Sequence, residues 1–481
     1  MKTFYFIFVI ILWTSKIITA KSPLAARHAI VDKIKCKYPN GEFQCAMEEI
    51  AHAILVKDSK DQTMYTTETI NGVGKVQRSS LSPCNVFCTI ESAITWIRNE
   101  LSSVKVQDLS APIASVAISP GIYNEVIVLN MPIILRRSDH AKTAVIFPNV
   151  NGSKDRKSNC ILYIGSGNVI VSGINFSGES IHGICLDPNQ AHSASNINNV
   201  IIQGNKFDSI VNSVININSN VKKYISKWAV KNNVISTWYS NDVTGILFKG
   251  VTLDSSVVSD NVIKCSNDVI KSSGIYIEDC VDCKLINNKF SGTSLLDLFI
   301  KNFSGKLEIN NSKVHSGVVV LLQNIRKDRG AREINIINNV FNIGSMVYIS
   351  ESTTHSNVED IGNTIYNSQQ ETKINILKNH IDTLSLRLTN KKLGSTQHNT
   401  KSSAYIVENK IKKIDIITSE IIKKIAVSNN NIGNLLLRID LKGIDNYEKQ
   451  ALEGYVCDVV KNTIDNVNVG FSGLDKYKCF E

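Results

Sequence analysis

A short unit recurs along much of the chain and restricts its fold more than any other feature. It is an apolar alternation, then an Asn, one variable residue, and Ile, Val or Phe. It reads IIQGNKF at 201–207, AVKNNVI at 229–235, VVSDNVI at 257–263, KLINNKF at 284–290 and INIINNVF at 334–341. Further copies are VEDIGNTI at 358–365, NILKNHI at 375–381, YIVENKI at 405–411, AVSNNNI at 426–432 and DVVKNTI at 458–464. Asn205, Asn233, Asn261 and Asn288 are 28, 28 and 27 residues apart. A degenerate copy at Asn311 carries the series to Asn339, SGINF at 172–176 precedes it, and later spacings run from 16 to 32.

A rung of roughly 20–30 residues cannot bury its apolar side alone, so rungs must stack into a continuous core. Between strands the chain turns sharply through a left-handed residue, which Asn tolerates, and stacked Asn amides can bond one another. Ile and Val dominate with no helical spacing between copies, which favours an all-β coil over a leucine-rich repeat. Asn usage agrees. Of 51 Asn, 7 lie in residues 1–150 and 44 in residues 151–481.

With 43% hydrophobic and 20% charged residues over 481, the chain is neither disordered nor a small disulfide-stapled domain. Its +10 balance is spread thinly; Lys391-Lys392 and Lys423-Lys424 are only doublets. That excludes a nucleic-acid tail and suits an anionic partner such as an acidic polysaccharide or a membrane surface. Residues 1–20 read as a secretory signal: Lys2, the apolar run Phe4 to Trp13, then Ile18-Thr19-Ala20. The run is too short for an anchor. The mature chain is expected to be exported, without a transmembrane anchor. Its 11 Cys then default to disulfides, with at least one left over, and Cys185 in an apolar strand is the candidate free thiol. Sequons stand at Asn151, Asn175, Asn302 and Asn310.

Thr89-Ile-Glu-Ser-Ala-Ile-Thr-Trp-Ile sets Ile90, Ala93, Ile94, Ile97 and Leu101 on one helical face, with Thr89 as N-cap. SVAISPGIYNEVIVLNMPIILRR at 115–137 follows, with a Pro-Gly turn between two strands and a third after Pro132. The segments Thr89-Ile90-Glu91-Ser92-Ala93-Ile94, Pro120-Gly121-Ile122-Tyr123-Asn124-Glu125 and Pro132-Ile133-Ile134-Leu135 resemble the opening of pectin-lyase-like proteins, pectin methylesterases among them. The resemblance implies a single right-handed parallel β-helix over 89–471, with a helix capping the open core. Residues 21–88 then form a small extension containing Cys, read as helical at Ala25–Ile34 and Glu48–Leu55, and 472–481 a tail.

The esterase chemistry does not carry over. The strand survives as Ile174-Asn175-Phe176, but no Gln-Asp pair follows in SIHGICLD or NKFDSI. Ile181-His182-Gly183 is an incomplete echo of the hydrolase Gly-His-Gly turn. Polysaccharide lyase chemistry is the least excluded. One constellation stands out in Gly183-Ile-Cys-Leu-Asp187, Gly245-Ile-Leu-Phe-Lys249, Gly274-Ile-Tyr-Ile-Glu278 and Leu298-Phe-Ile-Lys301. Alternation turns Asp187, Lys249, Glu278 and Lys301 outward beside Cys185, Leu247, Tyr276 and Phe299. Tyr276 and Phe299 would stack on sugar, Lys249 or Lys301 would be the base, and Asp187 with Glu278 would hold Ca²⁺. The loop carrying Trp238, Tyr239 and Asp242 is a second candidate sugar contact. Two functions remain open: a secreted protein that binds or cleaves an acidic polysaccharide, or a non-catalytic surface or adhesion protein.

Overall fold

The computed structural model describes residues 89–102, 114–118, 121–123, 125–137, 144–146, 160–178, 182–187, 197–210, 212–237, 242–265, 271–292, 296–321, 332–342, 344–350, 372–388, 402–418, 422–440 and 456–472, with the strands His52–Val56, Thr67–Thr69 and Lys75–Gln77. These residues are mostly strand, with one helix, Ile90–Ser102, and a long parallel sheet of the kind a β-solenoid builds. That helix is too short to cross a membrane, and no described helix is long and apolar enough to do so. The chain divides into two units, Met1–Ser180 with Asp187–Lys206, and Ile181–Leu186 with Phe207–Glu481.

In the first unit, Ala114–Ile118, Ile133–Arg137, Ile170–Ser172 and Ile201–Gln203 pair successively in parallel. The register stacks Val116, Leu135, Val171 and Ile202, all fully buried. The helix forms as its sequence predicts. Ile90, Ala93, Ile94 and Ile97 are buried, and the Ser92 amide donates to Thr89 Oγ1 at 3.1 Å. Glu125, from the PGIYNE segment, accepts from the Ile90 and Glu91 amides at 2.9 and 3.0 Å and so caps the helix from a distance. Burial pushes its carboxyl above the usual range, against the lowering effect of those amides. The expected helix over Glu48–Leu55 is instead the strand His52–Val56, paired in parallel with Ala114–Ile118. Its run Ala-Ile-Leu-Val supplies residues that favour a sheet, and a rung was available to pair it. Ala25–Ile34 lies outside the described residues.

The second unit shows the coil plainly. One inward column runs Ile215, Ile246, Ile275, Leu298, Val318, Val347, Leu384 and Ile414, each fully buried. A second runs Val230, Val258, Leu285, Ile309, Ile336, Ile376 and Ile406. The recurrent Asn sits at the corner after this second column. Asn233 donates to Asn261 Oδ1 and Asn261 to Asn288 Oδ1, both at 3.0 Å. The ladder resumes at Asn339 and continues through Asn379, Asn409 and Asn430 to Asn462. Each rung also ties the amide to main chain, as Asn261 Nδ2 does to Val230 O at 2.9 Å. The repeat thus satisfies buried corner groups that the strands cannot pair.

Two details differ from the expectation. The left-handed residue is the one before the ladder Asn: Asn232, Asp260, Asn287, Asn338, Lys378, Glu408 and Lys461 all have φ between 54 and 58°. That exposed position accepts Lys and Glu, whereas the buried ladder position demands a side chain that both donates and accepts. The degenerate copy is offset for the same reason. Asn311 takes the left-handed place, and Ser312 occupies the ladder slot, accepting from the Asn288 amide and donating its own amide to Asn339 Oδ1. The VEDIGNTI copy lies outside the described residues.

Candidate functional site

The candidate site lies on one sheet of the second unit. Its strands are Asp242–Asp254, Lys271–Ile286, Leu296–Lys301, Gly317–Leu321, Met346–Ser350 and His380–Leu388. Alternation sends every second residue out. The register aligns Leu247, Tyr276, Phe299, Val319 and Tyr348 into one outward column. Tyr276 and Phe299 stack with centroids 5.0 Å apart and planes 15° from parallel. Further along, the Arg387 guanidinium lies 5.7 Å from the Tyr348 ring centre. Such a pairing stabilises by roughly 0.5–1 kcal/mol at exposed sites.

The adjoining outward positions hold Lys249, Glu278 and Lys301. Lys249 is exposed, and no carboxylate among the described residues lies within ion-pair reach of it. Lys301 Nζ is 3.6 Å from Glu278 Oε1, and the other carboxylate oxygen accepts from the Gly250 amide at 2.8 Å. The sheet register slips between Phe248 and Thr252, which turns that amide towards Glu278. Gly250 has φ +65°, and a Cβ there would sit 1.9 Å from Ser219 O, so only glycine fits. Burial, then the carboxylates of Glu278 and Asp279, raise the Tyr276 hydroxyl above the ordinary tyrosine range.

The proposed calcium pair does not assemble. The rung Ser213–Ser226, passed over in the sequence, stands between His182–Leu186 and Asp242–Asp254. The alternation Val214-Ile-Asn-Ile-Asn218 is the signal that could have revealed it. The strand ending at Leu186 is therefore three rungs from that of Glu278, about 14 Å. Asp187 itself is buried in the first unit, its amide donating to Ile164 O at 2.8 Å. Glu278 is already held by an amide and an ammonium. These residues do not fit one shared ion, and the described residues contain no group of three His, Cys, Asp or Glu able to hold a metal. Trp238 and Tyr239 lie outside the described residues, while Asp242 opens its strand beside Lys271 of the next rung.

The thiol assignment also changes. Cys185 is disulfide-bonded, as is Cys160, whereas Cys265, Cys280 and Cys283 are buried free thiols. Apolar neighbours in the sequence suggested a thiol there, but what decides pairing is which Cys the fold brings near, and sequence distance does not report that. Of the sequons, Asn175, Asn302 and Asn310 have buried amide oxygens.

No family model matches the chain, and no curated protein does. Among solved structures, it is similar to the DFA-IIIase from Arthrobacter chlorophenolicus A6 at 10% identity. That match covers 87% of this chain and 96% of the other, with a TM-score of 0.28. A likeness at that level settles neither fold nor activity.

Proposed function

We propose that the protein is an exported, carbohydrate-binding β-solenoid that holds an acidic, uronate-type polysaccharide against the face of Leu247, Tyr276, Phe299 and Tyr348. The observation that carries this reading is the stacked Tyr276–Phe299 pair bordered by Lys249 and Lys301. An outward apolar strip three or more rungs long, with cations along its border, offers a sugar chain apolar contact and its carboxylates a counter-charge. Binding is favoured over cleavage by how the polar groups are engaged. Lys301 serves as the cation of an ion pair, and Glu278 is tied by Lys301 and the Gly250 amide. Lys249 is left to meet a ligand carboxylate. Export is supported by the apolar N-terminal run and by the disulfide-bonded Cys160 and Cys185, since disulfides persist in oxidising compartments.

The test is affinity electrophoresis of the full chain in gels containing polyuronides or neutral glycans, with released unsaturated uronide followed in parallel. Retention by polyuronide that Tyr276→Ala and Phe299→Ala weaken supports the reading. Calcium-dependent absorbance that Lys249→Ala removes would replace it with a lyase. Indifference to every glycan would leave adhesion or structure as the function.

A further inference from the structure

A second feature lies on a different sheet, formed by the strands that follow each ladder Asn. Their first outward residue makes the column Val262, Lys289, Lys313, Val340, His380 and Lys410. From Lys289 onward every member is exposed, Val340 by 50%, and Lys264 is exposed on the same side of the Val262 strand. Lys289 and Lys313 are direct register partners, so two ammonium stems leave the sheet one strand spacing apart, about 4.8 Å. Like charges so placed oppose folding.

Five other lysines of the stack have their charge offset. Lys301, Lys373, Lys378, Lys412 and Lys424 each face a carboxylate on the neighbouring rung: Glu278, Glu333, Glu408, Asp382 and Asp458. Among the described residues, Lys264, Lys289, Lys313 and Lys410 have no such partner. A single-signed line in which two ammonium groups are direct register partners marks a surface that receives its counter-charge from outside.

We propose that this column is a binding site for one linear acidic glycan laid along the stacking direction. From Lys289 to Lys410 it extends four rungs, about 19 Å. The file is one residue wide, which suits a single extended polymer. Lysine acts as a point charge, meeting carboxylate or sulfate without a fixed fork geometry. Single-stranded nucleic acid would want aromatic platforms for its bases, and the column has none. A membrane surface would want a broad face with large apolar groups to insert, and Val340 alone is not that. The site stands independently of the aromatic face.

The experiment titrates full-length protein with a linear polyuronide and a linear sulfated glycan at several salt concentrations. Lys289→Gln/Lys313→Gln removes the charge and also relieves the repulsion, so the variant should fold at least as well as the parent. Its affinity is expected to fall about tenfold or more, with a shallower dependence of log affinity on log salt, by roughly one to two in slope. Lys284→Gln/Lys306→Gln makes the same change in net charge on another sheet and should leave both readouts in place. Placed on a Tyr276→Ala background, which lacks the aromatic face, the Lys289→Gln/Lys313→Gln pair should cause the same fold-loss and the same change of slope, which separates failure of this site from failure of the aromatic face. Equal losses in both double variants would reduce the effect to net charge and overturn the site. Tighter binding of single-stranded DNA or anionic vesicles than of either glycan, lost in the same variant, would overturn the glycan assignment.

Discussion

Removing the ladder amide of Asn379 tests the architecture where it is most exposed to error. Asn379 Oδ1 accepts from the Asn339 amide and from Asn339 Nδ2, at 2.9 and 3.0 Å. Its Nδ2 donates to Ile336 O, Leu377 O and Asn409 Oδ1 at 2.8, 2.9 and 3.0 Å. In Asn379→Ala the buried Asn339 amide loses its acceptor, a cost of about 1–3 kcal/mol. The other four bonds have partners that keep a second contact or an adjoining carbonyl, and their loss adds roughly 0.5 kcal/mol each. The expected total is about 3–5 kcal/mol, large for one substitution. Ser312→Asn should act in the opposite sense. By register Leu285 stands where Val258 and Ile309 accept from Asn288 and Asn339, so a new amide there would find Leu285 O and Asn339 Oδ1. The gain should be about 1 kcal/mol. Because stacked rungs can open in sections, the decisive assay is hydrogen exchange at the Asn339 amide, with urea unfolding beside it. Unchanged protection at that amide together with a stability loss under about 1 kcal/mol would refute the ladder as a stabilising element.

Three further outcomes follow from the same geometry. Tyr276 should ionise above the ordinary tyrosine range in an ultraviolet titration, and Glu278→Gln should bring it back part of the way. With the folded value raised, its contribution to stability is lost as pH rises through that value. Glu125 also has a raised value, so its contribution is complete below the unfolded carboxyl range and is lost as pH rises through the folded one. Glu125→Gln should flatten that dependence in the exchange of the Ile90 and Glu91 amides; an unchanged pH profile would contradict it. Gly250→Ala should destabilise by about 2–4 kcal/mol, through its left-handed backbone and the Ser219 clash. A thermal melt that matches the parent would show that this turn is built differently.

Period, burial and backbone chemistry were local enough to be read from the chain. The recurrence of Asn with Ile, Val or Phe named a stacked parallel coil, and the 90–97 spacing named its helix, because each encodes which groups must be buried within a few residues. The outward placement of Tyr276 and Phe299 followed from alternation alone. What the chain could not declare was register. Skipping the Ser213–Ser226 rung placed Asp187 beside Glu278's line, since nothing in one rung's sequence states how many rungs separate it from another. The same limit hid the Ser312 substitution in the ladder and the bonding of Cys185. It hid the Lys289–Lys410 column as well, whose members are scattered through 122 residues and meet only when the coils stack. Neighbour relations along a solenoid are made by cross-rung hydrogen bonds, and those exist only in the folded stack.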